Sequence, residues 1–308
     1  MSGPSEWQQR IQGEWHGRPS LFDATGAWRG YEDIRRSSVF DDGTVTYFMD
    51  GGLEGGGPLA GRFKLGAPFA FGVTDAGGDR LYTGPDFYGA GTPYGGFVDA
   101  RYYGPGWQVD LNTWNQTIGD TQVYSSLLFQ GPAVVGCFNG LYTRDPAQVA
   151  GWLRDETVNG PVPFILPTKD AGAYGGDCEV FGPDRKPRGT VRVTVELKPI
   201  DLLRTRHHVT WTGALERRHT VEVRRDGFRS FCEGPGAWGN AQAYGRASYP
   251  SLHFADGTRL AGREFMMDAT PGMGAGTTLA VAYELFEGNA LAAVLHGVLT
   301  WSPSCTGC

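Results

Sequence analysis

The run Leu128-Phe129-Gln130-Gly131-Pro132-Ala133-Val134-Val135-Gly136-Cys137-Phe138-Asn139-Gly140 returns without a gap as Leu285-Phe286-Glu287-Gly288-Asn289-Ala290-Leu291-Ala292-Ala293-Val294-Leu295-His296-Gly297, from position 128 to position 285. An apolar run, a turn and a second apolar run recurring together mark a duplicated unit, and a repeat governs how every local signal is read. Two further echoes keep order and nearly the same spacing. Phe22 with Arg29-Gly30 returns as Phe181 with Arg188-Gly189, and Gly84-Pro85 with Tyr88-Gly89 returns as Gly234-Pro235 with Trp238-Gly239. A chain of 308 residues is long enough for two cores of about 150 residues each. The expected organisation is an N-terminal unit over 1–158, a linker over 159–177 and a C-terminal unit over 178–308.

Glycine at 48 positions and aromatic residues at 13%, with few helical patterns, point to strands joined by tight turns and so to an all-β fold. The net charge of −6 disfavours a nucleic-acid partner, which needs a basic footprint. No uncharged run is long enough for a membrane span, and the start MSGPSEWQQR has no apolar signal core, which makes a cytoplasmic setting the expectation. Cys137, Cys178 and Cys232 read as independent thiols, and Cys305-Thr306-Gly307-Cys308 as a tail rather than a redox or zinc motif. No cofactor is expected. No metal is expected either, because His207-His208 would point to opposite faces of a strand and no paired ligand motif accompanies them.

Ser5 caps a short helix through Ile11, and Trp15 after Gly13 suits a barrel plug. Strands follow at Arg29–Arg36, Thr44–Met49, Arg62–Leu65, Phe69–Val73 and Arg80–Thr83. The glycine-dense Gly51–Pro58 and the aromatic, glycine-rich Gly84–Gly96 read as loops, the latter with Tyr88 as a candidate ligand contact. Across Trp107–Trp114, Asp110 and Asn112 share a face with Trp114. If that face points inward, Asp110 and Trp114 contact a ligand; if outward, the polar groups are merely solvated. Asp145-Pro146 opens a helix with Val149, Trp152 and Leu153 on one face, and Asn159–Pro163 links the units.

In the second half Val191, Val193, Val195 and Leu197 share one face of the clearest strand. The strand 214–225 places Leu215, Arg217, His219, Val221 and Val223 together, so two ionisable groups lie on an apolar side and need partners. Glu233, Tyr244, Asp268 and Glu284 are the candidates. His219 would act as acid or base, Arg217 would hold developing oxygen charge, and Glu233 completes the candidate catalytic set. Trp238 and Tyr244 join Tyr88 and Trp114 as candidate ligand contacts. His296 is either a core histidine or a pocket acid. The same residues admit a packed, purely structural network.

Gly13-Glu14-Trp15 and the succession of short antiparallel strands resemble the two-domain lipocalin-like, or calycin, family. That resemblance implies tandem lipocalin-like antiparallel barrels with a short linking helix, the first closed by its N-terminal G-x-W element around a small hydrophobic ligand, while the second repeat has no clear G-x-W partner. Some family members are cyclases, isomerases or hydratases of specialised metabolism. The resemblance therefore implies a cofactor-independent isomerase or cyclase acting on a small hydrophobic, aromatic or polyunsaturated molecule. A noncatalytic carrier of such a molecule and a structural double barrel are the alternatives.

Overall fold

In the computed structural model the described residues are 5–54, 69–84, 87–151, 164, 166, 171–268 and 276–304. The expected strand at Arg62–Leu65, the linker 159–163, the side chains of Trp152 and Leu153, and the Cys305–Cys308 tail lie outside them. The chain divides into two compact units, Met1–Pro161 and Val162–Cys308. Each is a closed antiparallel β-barrel, and a short helix follows the first.

The first unit opens with helix α1 (Glu6–Ile11), where the Gln8 side-chain oxygen accepts from the Ser5 N–H at 2.7 Å. Its strands are β1 (Gly13–Gly17), β2 (Ser20–Asp23), β3 (Trp28–Asp41), β4 (Thr44–Glu54), β5 (Phe69–Ala76), β6 (Asp79–Thr83), β7 (Tyr88–Tyr94), β8 (Phe97–Gly104), β9 (Val109–Ile118), β10 (Thr121–Gln130) and β11 (Ala133–Thr143). Neighbours in sequence pair from β2 to β11, and β1 and β2 each bridge β3 and β11, which closes the barrel. Trp15 is fully buried, its indole N–H bonded to the Ile11 carbonyl at 3.1 Å and its ring under the Arg144 guanidinium.

Parts of two segments read as loops are strands, and residues 55–58, 85 and 86 of those segments lie outside the described residues. β4 runs on through Gly51 and Gly52 to Glu54, and β7 occupies most of the aromatic, glycine-rich stretch. Glycine is costly in a strand only where nothing requires it. At Gly89 an added Cβ would lie 2.0 Å from the Arg101 carbonyl oxygen, so the close approach of β8 excludes any side chain. Helix α2 covers 146–151, where the described stretch stops, and Asp145 caps it by accepting from the Ala147 N–H at 2.9 Å.

The second unit is a ten-stranded meander: β12 (Gly172–Phe181), β13 (Pro187–Pro199), β14 (Arg204–Gly213), β15 (Arg217–Asp226), β16 (Arg229–Gly234), β17 (Ala237–Tyr244), β18 (Ala247–Phe254), β19 (Thr258–Met266), β20 (Thr278–Glu287) and β21 (Ala290–Pro303). β21 returns to pair with β12. Its first strand begins at Gly172, upstream of Cys178. Val191, Val193 and Leu197 enter the buried interior with Trp211, Val221 and Leu295, as their alternation requires. Among the described residues, no helix is long and apolar enough to cross a membrane.

Candidate functional site

Alternation decides which side chains enter the second barrel. On β14 these are Thr205, His207, Val209 and Trp211, on β15 His219, Val221 and Val223, and on β19 Leu260 and Glu264. They line a cavity of about 200 Å³ that Tyr174, Cys232, Ser248, Leu252 and Tyr283 complete. The wall is aliphatic and aromatic, with a few converging polar groups, which is the usual make-up of a small-molecule site.

Those polar groups sit on two walls. On β14–β15, burial pushes the His207 imidazole down to about 4, with a smaller push from His219. His219 is likewise held down to about 4, by burial first and then by the positive fields of Arg217 and His208. Both histidines are therefore neutral at pH 7. Among the described residues, the buried His219 Nδ1 and Trp211 indole nitrogen find no hydrogen-bond partner. Register sets His219 opposite Val209 and Trp211 opposite Arg217, so both orphan groups enter the cavity from adjacent strands. A ligand hydroxyl or carbonyl would satisfy them, whereas leaving them unmet is costly.

On the other wall, burial raises the Glu264 carboxyl to about 7 against hydrogen bonds from Tyr283 and Ser248. The Tyr283 hydroxyl donates to Glu264 Oε1 at 2.8 Å, and Ser248 stands opposite Glu264 in register. The cavity thus holds a carboxyl that changes charge near neutrality and two histidines that do not.

Of the catalytic and ligand-contact candidates taken from the sequence, His219 alone lines this cavity. Arg217 lies at the end of β15 away from the cavity mouth. Its Nη2 donates to Thr258 Oγ1 at 2.8 Å and to Asp256 Oδ2 at 3.3 Å, and its guanidinium lies 4.2 Å from the centre of the Phe254 ring. It braces that end of the barrel, and its acidic partner is Asp256 rather than Glu233 or Glu284. Glu233 is exposed on the outer face beside Cys232, which points inward, so parity takes it out of the cavity. Glu284 instead faces Arg263 at 3.6 Å.

The expected ligand contacts also fall elsewhere. Trp238 is 51% exposed and stacks on His253, its cross-strand neighbour, while Tyr88 is 52% exposed and packs on Tyr103 in the same way. Tyr244 is buried between Phe228 and Tyr249 with its hydroxyl on Gln242, on the face opposite the cavity-lining Ala241 and Ala243. His296 stacks on Phe181 and approaches Glu179 at 3.6 Å, while its neighbour Leu295 fills the interior. Asp110 is exposed, and Trp114 is buried beside Phe97 on the face opposite Leu111 and Asn115.

A smaller cavity of about 90 Å³ occupies the first barrel, lined by Glu32, Arg36, Arg80, Asn115 and a set of aromatic rings. Burial raises Glu32 to about 7. Arg36 Nη2 bonds the Gln122 side-chain oxygen at 2.6 Å, and Arg80 lies over the Trp7 ring.

The cysteines offer no activated thiol among the described residues. Cys178 and Cys232 are pushed up to about 12, chiefly by burial, and Cys137 is buried. Iodoacetamide at pH 8 is expected to leave Cys178 and Cys232 unmodified in the folded protein and to alkylate both in urea, as peptide mass analysis would read. Fast labelling of either in the folded state would contradict this assignment. No group of three or more His, Cys, Asp or Glu residues suited to a metal occurs among the described residues.

No family model matches the chain, and no curated protein matches it. A protein of unknown function from the DUF3598 family of Nostoc punctiforme has a similar structure, with a TM-score of 0.63 at 12% identity over 98% of this chain and 100% of the other. That likeness shows the two-barrel fold. Structures from Bacteroides fragilis (9% identity, 96% of this chain, 98% of the other) and Nitrosomonas europaea (11%, 97%, 97%) reach TM-scores of 0.23 and 0.18.

Proposed function

We propose that the second barrel takes up a small hydrophobic molecule with a polar end and rearranges it without a cofactor, by isomerisation or cyclisation. The supporting observation is the opposition of Glu264, poised near pH 7, to neutral His219 and His207 across one apolar cavity. Environments that push titratable groups apart assign acid and base roles. Glu264 would deliver or remove the proton, with Tyr283 orienting its carboxyl. His219 and Trp211 would hold the ligand's oxygen. The aliphatic wall would exclude water and fix the reacting conformation.

A carrier is the second reading, and one observation favours it. Arg217 is committed to Asp256 and Thr258, which leaves the developing oxygen charge without the guanidinium that the sequence suggested. Incubation with a library of small aromatic and polyene compounds, followed by native mass spectrometry and analysis of the released molecules, separates the two. A changed product supports the enzyme, and ligand recovered intact throughout supports the carrier. For a substrate so found, Glu264→Gln is expected to lower kcat at least about a hundredfold and to abolish the ionisation near pH 7 in the kcat/KM profile. An unchanged profile in that variant would remove Glu264 from the mechanism.

A further inference from the structure

The open end of the second barrel carries a feature that the cavity chemistry does not use. Strands β13 and β14 meet in a turn where Leu202 is fully exposed, Leu203 is 61% exposed and Ile200 is 39% exposed. Leu202 and Leu203, with Arg225 near the end of β15 and Phe228 of the turn that follows it, also line the cavity. The aliphatic tip therefore stands at the cavity's mouth, at the end of the barrel opposite the Arg217 brace.

Basic side chains surround the tip in an arrangement that costs the sheet stability. Register places Lys198 directly opposite Arg206 and Arg204 directly opposite Arg224, and like charges so paired repel. Arg204 is neutralised by Asp201 at 2.7 Å and Glu222 at 3.2 Å. Among the described residues no ion pair closes within 4.0 Å on Lys198, Arg206, Arg224, Arg225 or Arg229, although Glu222 stands opposite Arg206 and Asp226 opposite Arg229 in register. Arg224 instead covers the 41% exposed Phe231 ring. In a chain of net charge −6, Lys198, Arg204, Arg206, Arg224, Arg225 and Arg229 still outnumber the acidic groups Glu196, Asp201, Glu222 and Asp226 around the mouth.

We propose that this end docks on an anionic lipid surface, with Ile200, Leu202 and Leu203 entering the headgroup layer and the surrounding cations meeting its phosphates and carboxylates. Exposed aliphatic side chains ringed by Lys and Arg are the composition that binds such an interface. A lipid layer satisfies both halves of the feature, whereas an acidic polypeptide would use the cations and leave the leucines in water. Docking would present the cavity mouth to molecules dissolved in the membrane. It requires no catalysis, so the test reads binding alone and stands apart from the fate of the proposed reaction.

The test is flotation of the full chain with phosphatidylcholine vesicles, either pure or containing about one third phosphatidylserine, at low and high salt. Binding is expected to the anionic vesicles at low salt. Leu202→Asp/Leu203→Asp and Arg206→Glu/Arg224→Glu should each weaken it at least about tenfold, with the far-UV circular dichroism of both variants unchanged. Failure to float with anionic vesicles overturns the proposal, as does binding that survives both double substitutions. Two further outcomes reassign the surface. Polyglutamate binding that needs the arginines but not the leucines points to an acidic polypeptide, and a dimer in light scattering that the leucine variant dissociates points to a second copy.

Discussion

Glu32→Gln is expected to stabilise the first barrel by about 3 kcal/mol at pH 8 and to change it little at pH 4. Glu32 is only 7% exposed, and burial alone raises its carboxyl from 4.5 to about 7. Between those values the folded chain binds the proton more tightly than the unfolded chain does, so stability falls as pH rises and the loss is complete above about 7. Glutamine keeps the shape and never acquires the charge. Denaturant midpoints of both proteins at the two pH values provide the check, and a difference that does not vary with pH would remove the ionisation from the account.

The second barrel combines opposite slopes. Glu264, raised to about 7, costs stability as pH rises through the same window. His207 and His219, lowered from 6.5 to about 4, cost stability as pH falls from about 6.5 to about 4, because there the unfolded chain binds the protons. Between about 4.5 and 6.5 the two kinds of group offset one another.

Gly239→Ala is expected to destabilise the second barrel by about 3 kcal/mol or more, at the upper end of overpacking costs. A Cβ there would lie 1.9 Å from the Ser251 carbonyl oxygen, and strand backbone cannot retreat without breaking the pairing of β17 with β18. Gly175→Ala is the control: its Cβ would meet only the Arg192 guanidinium, at 3.1 Å, which can swing away. Thermal unfolding followed by calorimetry should show a transition lowered in Gly239→Ala and nearly unmoved in the control. Equal shifts would mean that the interstrand clash is not what reserves position 239 for glycine.

The same glycines explain why the duplication was legible. Gly89 and Gly239 both face a neighbouring carbonyl, Gly30 and Gly189 both have positive φ (132° and 112°), and Gly131 and Gly288 both turn hairpins with φ near +57° (56° and 58°). Each echo marks a backbone position where a side chain is excluded or strained. Tyr88 and Trp238 recur for a different reason, as outer-face partners of a cross-strand neighbour, and composition alone made them resemble ligand contacts.

Strand parity carried the site part of the way. It correctly set His219 among apolar neighbours, and it signals Glu264 by the same rule, as the ionisable member of the inward series Leu260, Gly262, Glu264 and Met266. His207 is likewise inward, between Thr205 and Val209. What parity does not supply is which side chains meet across a closed cylinder. Arg217 finds Asp256, 39 positions away on a turn beyond three intervening strands, and nothing local to either residue announces the pairing.

The pairing of β12 with β21 sets the order in which the second barrel assembles. Every other strand pair in it joins sequence neighbours, whereas this seam matches Gly172 with Pro303. Hairpins form quickly because their loops are short, and closure across the whole unit bears the largest entropic cost. The seam is therefore expected to zip last and to limit the folding rate. Until it does, β12 and β21 are two open edges able to recruit strands from other chains, so refolding yield should fall with protein concentration even though the finished cylinder presents no edge at all.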